Sequence, residues 1–245
     1  MWASRFRFQR RTSPRFRVGR VLLAGDAAHI FPPAMGQGMN TGIQDAHNLA
    51  WKLAHAVRGG DLERLLASYD VERRDAVGRV SRYVNRFARM GVQAPRFVRE
   101  GMIQLMRLGQ ALPRSRRRSL RNMAMIDRGY GASPLLSPTE RSSGRRLPNP
   151  ALRSSGGPEV RLYDLLPNRP VLLDIAHERR FSADPPVKDT LRIGPGAHQD
   201  PTGALRGLLG GEDGYILVRP DLHIAWARRG PDGLAEAARH ALGYP

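Results

Sequence analysis

Residues 21–46 constrain this chain more than any other stretch. Val21 to Ala24 is a short apolar run that stops at Gly25-Asp26, the pattern of a buried strand entering a loop. The loop passes through Pro32-Pro33 to Gly36-Gln37-Gly38. After it Met39, Ile43, Ala46, Ala50, Leu53 and Val57 recur at spacings of three and four. That spacing predicts a helix with these side chains on one face, closed by Gly59-Gly60. An Asp at the carboxyl end of a strand can accept hydrogen bonds from a ligand hydroxyl. A glycine loop that opens a helix turns backbone N–H groups and the positive helix end toward an anion. Together they describe a site for a polyol joined to a group that becomes negative. The pattern is not a Rossmann fingerprint, since Gly36 and Gly38 would need a third glycine where Thr41 stands, and no Walker loop is present.

The remainder reads as helices, then a break, then strands. A second helix is expected from the N-cap Asp61, with Leu62, Leu65, Leu66 and Tyr69 inward, continuing with a break to about Met90. Others are expected over Pro95–Ala111 and Arg114–Ile126. From Gly129 to Pro158 the chain turns to Gly, Pro, Ser and Arg and loses periodicity. Beyond lie strand-like runs at Val171–Ile175, Thr190–Ile193, Tyr215–Val218 and His223–Ala227, and a helix near Leu234–Leu242. The last two strands suggest a hairpin about Pro220-Asp221, which would force Leu222 into a left-handed conformation. The predicted organisation is α/β: a first domain over 1–128, a linker over 129–158 and a small α/β domain over 159–245.

Composition narrows the chemistry. Of the 245 residues 41% are hydrophobic and 25% charged, which is globular, and no apolar run approaches the roughly 18 residues of a membrane span. With Cys at 0 there is no disulfide, no thiolate zinc site and no iron–sulfur cluster, so redox chemistry would require an organic cofactor. His29 has no partner histidine at the spacing of a metal pair and reads as structural; no metal site is expected. Asp45 is expected to bond within its helix or to nearby backbone. The net charge of +18 gathers at Arg5–Arg20 and Arg99–Arg128. No zinc finger, aromatic RNA-binding box or basic zipper accompanies it, so nucleic-acid binding ranks well below a surface that meets another protein segment. The basic start lacks the apolar core of a secretory signal, and the expectation is a cytoplasmic protein without membrane contact.

The stretch from Gly25 to Ala46 resembles the second flavin-binding motif of the FAD-dependent aromatic hydroxylases, the group that includes p-hydroxybenzoate hydroxylase, phenol hydroxylase and the aromatic polyketide hydroxylases. The likeness covers about twenty contiguous positions and runs on through Asn48 to Leu53, Ser68-Tyr69 and Glu72-Arg73-Arg74. The tail, with Leu217 to Asp221 and Ile224-Ala225-Trp226, is similar to the thioredoxin-like domain many of them carry. The resemblance implies a partial FAD-binding domain with long helices followed by a small thioredoxin-like α/β domain. It implies that Gly25 and Asp26 meet the ribityl chain, that Pro33 lies beside the isoalloxazine and the substrate as the catalytic contact, and that Gly36, Gly38, Met39 and Asn40 shape the cradle for the pyrimidine edge. It implies FAD as cofactor, NAD(P)H as co-substrate, dioxygen, and a phenolic or polyketide substrate. Met35 stands where many members have Gly, which alters the space near the ring. No G-x-G-x-x-G unit precedes the motif in this sequence. The expectation is therefore a truncated hydroxylase, inactive alone, that needs an amino-terminal half or a homodimer partner. The alternative is a non-catalytic remnant serving as an interaction module, since a thioredoxin-like domain without cysteines can do no thiol exchange.

Overall fold

A computed structural model of the chain describes residues 9–32, 36–124, 129–131, 133–137, 140–154, 157–176 and 187–243. These form two compact units. One comprises Met1–His47 and Tyr69–Arg128, the other Asn48–Ser68 and Gly129–Pro245. Among the described residues no helix is long and apolar enough to cross a membrane.

The first unit opens with short antiparallel pairs. Strand β1 (Arg11–Thr12) pairs with β4 (His29–Ile30), and β2 (Arg17–Val18) pairs with β3 (Val21–Leu22). The predicted buried strand over Val21 to Ala24 is thus only two residues long, and Val18 and Val21 are more than half exposed. The turn Gly25–Ala27 is a single 3-10 turn, and helix α1 (Gln37–Val57) follows. Helix α2 (Leu62–Gln93) continues unbroken where a break was expected, and from Tyr69 onward it lies in this unit. Tyr69, Val77, Val80 and Val84 recur on its buried side. Two hydrogen bonds tie the early strands to it: the Tyr69 hydroxyl donates to the Leu23 carbonyl at 2.7 Å, and the Phe16 amide donates to Asp70 Oδ1 at 2.6 Å. Helices α3 (Arg96–Ala111) and α4 (Pro113–Met123) complete the unit, and α3 buries none of its residues.

Helix α1 departs from expectation in which face it buries. Ile43, Ala46, Ala50 and Val57 of the predicted inward stripe are exposed, as is Met39 at 75%. The buried stripe is Thr41, Asp45, Asn48 and Lys52, each at 0% exposure, on the same helical period but offset. A helix can bury polar side chains only where partners satisfy them. Thr41 donates to the Gln37 carbonyl at 2.6 Å, and Asp45 and Asn48 have the partners described below.

The second unit pairs β5 (Ala151–Leu152) with β6 (Val160–Arg161) and is built on a four-stranded sheet. It contains β7 (Val171–Ile175), β8 (Asp189–Ile193), β9 (Gly214–Val218) and β10 (Ile224–Arg228) in the order β10-β9-β7-β8, with β7 and β8 parallel and the others antiparallel. Alternate residues face opposite sides. Val171, Leu173, Ile175, Ile216 and Val218 pack into one core with Leu147, Leu152, Leu162 and Leu205. Leu172, Tyr215, Leu217 and Trp226 pack into the other beneath the last helix (Leu234–Leu242), which matches its predicted bounds. Both faces are covered, which is why β7 and β9 read as continuous apolar runs. Leu147 and Leu152, from the segment 129–158, are fully buried against this sheet.

The hairpin between β9 and β10 forms as the sequence suggests. The Leu222 amide donates to the Arg219 carbonyl at 3.0 Å, closing the turn through Pro220-Asp221, and Leu222 takes φ +61°. That conformation costs a non-glycine residue about 1–2 kcal/mol, which surrounding contacts must offset. They do so through a buried polar cluster. Arg219 grips Asp221 with Nη2 to Oδ2 at 2.6 Å and Nε to Oδ1 at 3.1 Å. Asn48 Nδ2 donates to Asp221 Oδ2 and to the Tyr130 hydroxyl, both at 3.0 Å. The Arg219 guanidinium lies 5.0 Å from the Trp51 ring and 5.3 Å from the Tyr130 ring.

Candidate active site

The loop and helix start singled out in the sequence meet in the first unit. Gly25 takes φ +60° and opens the 3-10 turn, which the Ala28 amide closes on the Gly25 carbonyl at 2.9 Å. Asp26, on that turn, is exposed. Gly36 takes φ +63° immediately before α1 begins. Among the described residues, a Cβ added at Gly36 or Gly38 would meet no atom within 4 Å. Met39 and Asn40 stand in the first turn of α1, and both residues are exposed. Pro33, expected as the catalytic contact, lies outside the described residues, as do Ala34 and Met35.

An exposed carboxylate can accept from ligand hydroxyls, and the positive end of a 21-residue helix favours an electron-rich group. Gly42 permits the turn to lie directly on the helix: a Cβ there would sit 3.3 Å from the Gly25 Cα.

Beneath the turn is a buried charged cluster that the sequence reading did not assemble. Asp45 Oδ2 accepts from the Gly25 amide at 3.0 Å and from His29 Nε2 at 2.6 Å, while Oδ1 accepts from Arg73 Nε at 2.7 Å. Arg73 Nη2 reaches the Thr41 carbonyl at 3.3 Å. The expectation that Asp45 bonds nearby backbone captures only the Gly25 contact. His29 is structural, as expected, packed 6.0 Å from the Phe16 ring and 5.0 Å from the Phe31 ring by centroid. A signal for the cluster exists in the sequence: Thr41, Asp45, Asn48 and Lys52 keep helical spacing as strictly as the apolar stripe does.

Burial alone would push the Asp45 carboxyl up, but the His29 hydrogen bond, the Arg73 charge and the Gly25 amide together hold it below its ordinary value. Asp221 is held well below it, against the same penalty of burial, chiefly by Arg219 and His223. A carboxylate with a depressed folded pKa contributes stability above its unfolded pKa of about 3.9 and loses it as pH falls through the folded value. Stability should therefore fall steeply below about pH 4. In urea titrations across this range, Asp45→Asn and Asp221→Asn should each flatten the acid limb; parallel curves for both would show that these carboxylates do not carry the acid sensitivity.

Comparison with known proteins finds relatives over the whole chain. A family model described as FAD binding domain matches residues 1–84, and one described as Aromatic-ring hydroxylase, C-terminal, matches residues 140–245. An uncharacterized aromatic compound monooxygenase of Bacillus subtilis is 38% identical over 230 residues, which cover 92% of this chain and 43% of that protein. A 12-dehydrotetracycline 5-monooxygenase/anhydrotetracycline 6-monooxygenase of Streptomyces rimosus is 35% identical, with 100% of this chain and 47% of that protein covered. The solved structure of an anhydrotetracycline hydroxylase from Streptomyces rimosus superposes with a TM-score of 0.73 at 32% identity, over 96% of this chain and 47% of that one. The chain spans less than half the length of these relatives. The two family models and the shared fold relate the chain to the FAD-dependent aromatic-ring hydroxylases, with one match in an FAD-binding part and one in their carboxyl-terminal part, over less than half of the relatives' length.

Proposed function

We propose that this chain supplies the ribityl- and isoalloxazine-binding segment of an FAD-dependent monooxygenase that hydroxylates a phenolic or polyketide ring with NAD(P)H and dioxygen. The observation that carries the reading is the pairing of the exposed Asp26 turn with the glycine approach to the α1 amino terminus. Bound FAD would supply the hydride acceptance and oxygen activation. The chain's own residues bind and orient it: Asp26 accepts from ribityl hydroxyls, Gly25, Gly36 and Gly38 let the backbone approach, and the Met39 and Asn40 amides stabilise negative charge at the ring edge. Pro33 is assigned to the face where ring and substrate meet.

The exposed apolar stripe of α1 supports a second part of the proposal, that an amino-terminal half completes the site. Met39, Ile43 and Val57 are each more than half exposed, and such a contiguous stripe marks a surface that another segment covers. A mixed four-stranded sheet with a terminal helix supports the thioredoxin-like reading of residues 159–245.

The test is flavin titration of the chain alone and mixed with the part of the Streptomyces rimosus relative that this chain does not match. Bound FAD should be recovered from the mixture, and Asp26→Ala should weaken it about tenfold or more, the worth of a hydrogen bond to a charged group. A mixture that retains no flavin, or an Asp26→Ala variant that binds as tightly as the parent, refutes the proposal.

A further inference from the structure

The two halves of the proposed cradle come from different elements. Asp26 stands on the 3-10 turn, the Met39 and Asn40 amides on the first turn of α1, and the proline loop joins them along the chain. A rigid ligand such as a flavin requires these halves at a fixed separation. We infer that Asp45 is the positioning residue that sets it: from the third turn of α1 it holds the Gly25–Asp26 turn against the helix whose amides form the other half. This inference rests on the flavin reading above.

The geometry is specific to that task. The Gly25 amide that Asp45 accepts is the backbone group adjoining Asp26, at 3.0 Å. The same oxygen takes His29 Nε2, so one carboxylate oxygen secures both ends of the turn, residue 25 and residue 29. Arg73 holds the other oxygen and the Thr41 carbonyl, which fixes the carboxylate relative to its own helix. Lysine could not replace that planar fork. Asp45, Thr41, His29 and Arg73 are all at most 2% exposed. The contact between Gly25 and Gly42 leaves no slack for a longer acid, since a Cβ at Gly42 would already lie 3.3 Å from Gly25 Cα.

A purely structural role would make Asp45 only the counter-charge of Arg73. The two roles separate in the paired variant Asp45→Leu/Arg73→Met, which removes both charges together and so avoids a lone buried ion. If Asp45 positions the turn, this variant should keep its helicity while the Gly25 amide, followed by hydrogen exchange in NMR spectra, exchanges about tenfold faster or more, with the α2 amides unchanged. FAD affinity in the complemented mixture should fall by a comparable factor. Asp45→Asn, which retains one acceptor oxygen, should show the same changes in smaller measure. Unchanged Gly25 exchange in the paired variant overturns the inference, as does faster exchange with undiminished FAD affinity. If the parent chain takes up no FAD in any mixture, the flavin reading fails instead, and the exchange result still decides whether the clamp on Gly25 exists.

Discussion

Replacing Arg73 with Met should destabilise the chain by about 3–5 kcal/mol, the usual cost of removing one partner from a buried ion pair. Methionine preserves much of the side-chain volume, so the loss would be electrostatic. Asp45 would remain at 0% exposure with its Oδ1 deprived of the 2.7 Å bond from Arg73 Nε, and the Thr41 carbonyl would lose a donor. The carboxylate must then stay charged in a poorly solvated place or take up a proton, and either course costs free energy. Urea denaturation at neutral pH measures the loss directly. The paired Asp45→Leu change should recover most of it, because two apolar side chains of similar bulk often replace a buried ion pair without penalty. A cost below about 1 kcal/mol for Arg73→Met would be the value of an exposed pair and would contradict the burial of this cluster.

That cluster also marks where the sequence stops being legible. Local signals are plain in it. Asp61 caps α2 by accepting from the Arg64 amide at 3.0 Å, α3 and the final helix keep their expected extents, and Leu222 adopts the left-handed angle that the hairpin register demanded. Each depends on residues a few positions apart. The inward face of α1 does not. Its apolar and polar stripes are equally periodic, and choosing the apolar one assumes that whatever covers a face lies within the chain being read. Here the polar stripe finds its partners 28 residues on at Arg73 and far away at Asp221. The apolar stripe stays exposed, in keeping with a chain that spans less than half of its relatives. The flavin motif itself was legible because it is a contiguous run. Its support from His29, Asp45 and Arg73 was not, because a buried charge reveals its partner only in three dimensions.

Asp221→Asn should destabilise the second unit, by an amount nearer 3 kcal/mol than 5, and the difference from Arg73→Met is itself informative. The change leaves Arg219 charged and 1% exposed, without the two-pronged grip on Oδ1 and Oδ2. Unlike the carboxylate stranded by Arg73→Met, this guanidinium keeps a partner of another kind, since the Trp51 and Tyr130 rings lie 5.0 and 5.3 Å from it. Aromatic faces hold a desolvated cation by about 2 kcal/mol, and arginine, weakly hydrated and planar, suits that arrangement. The turn would suffer as well, because Asn48 would face an amide where it now donates to Asp221 Oδ2 at 3.0 Å, and the left-handed Leu222 depends on that turn staying closed. Urea unfolding followed by circular dichroism should show the loss. Adding Trp51→Leu to Asp221→Asn should then deepen it by more than Trp51→Leu costs in the parent, because the ring carries more of the burden once the carboxylate is gone. Strict additivity of the two changes would mean that Trp51 packs beside Arg219 without holding its charge.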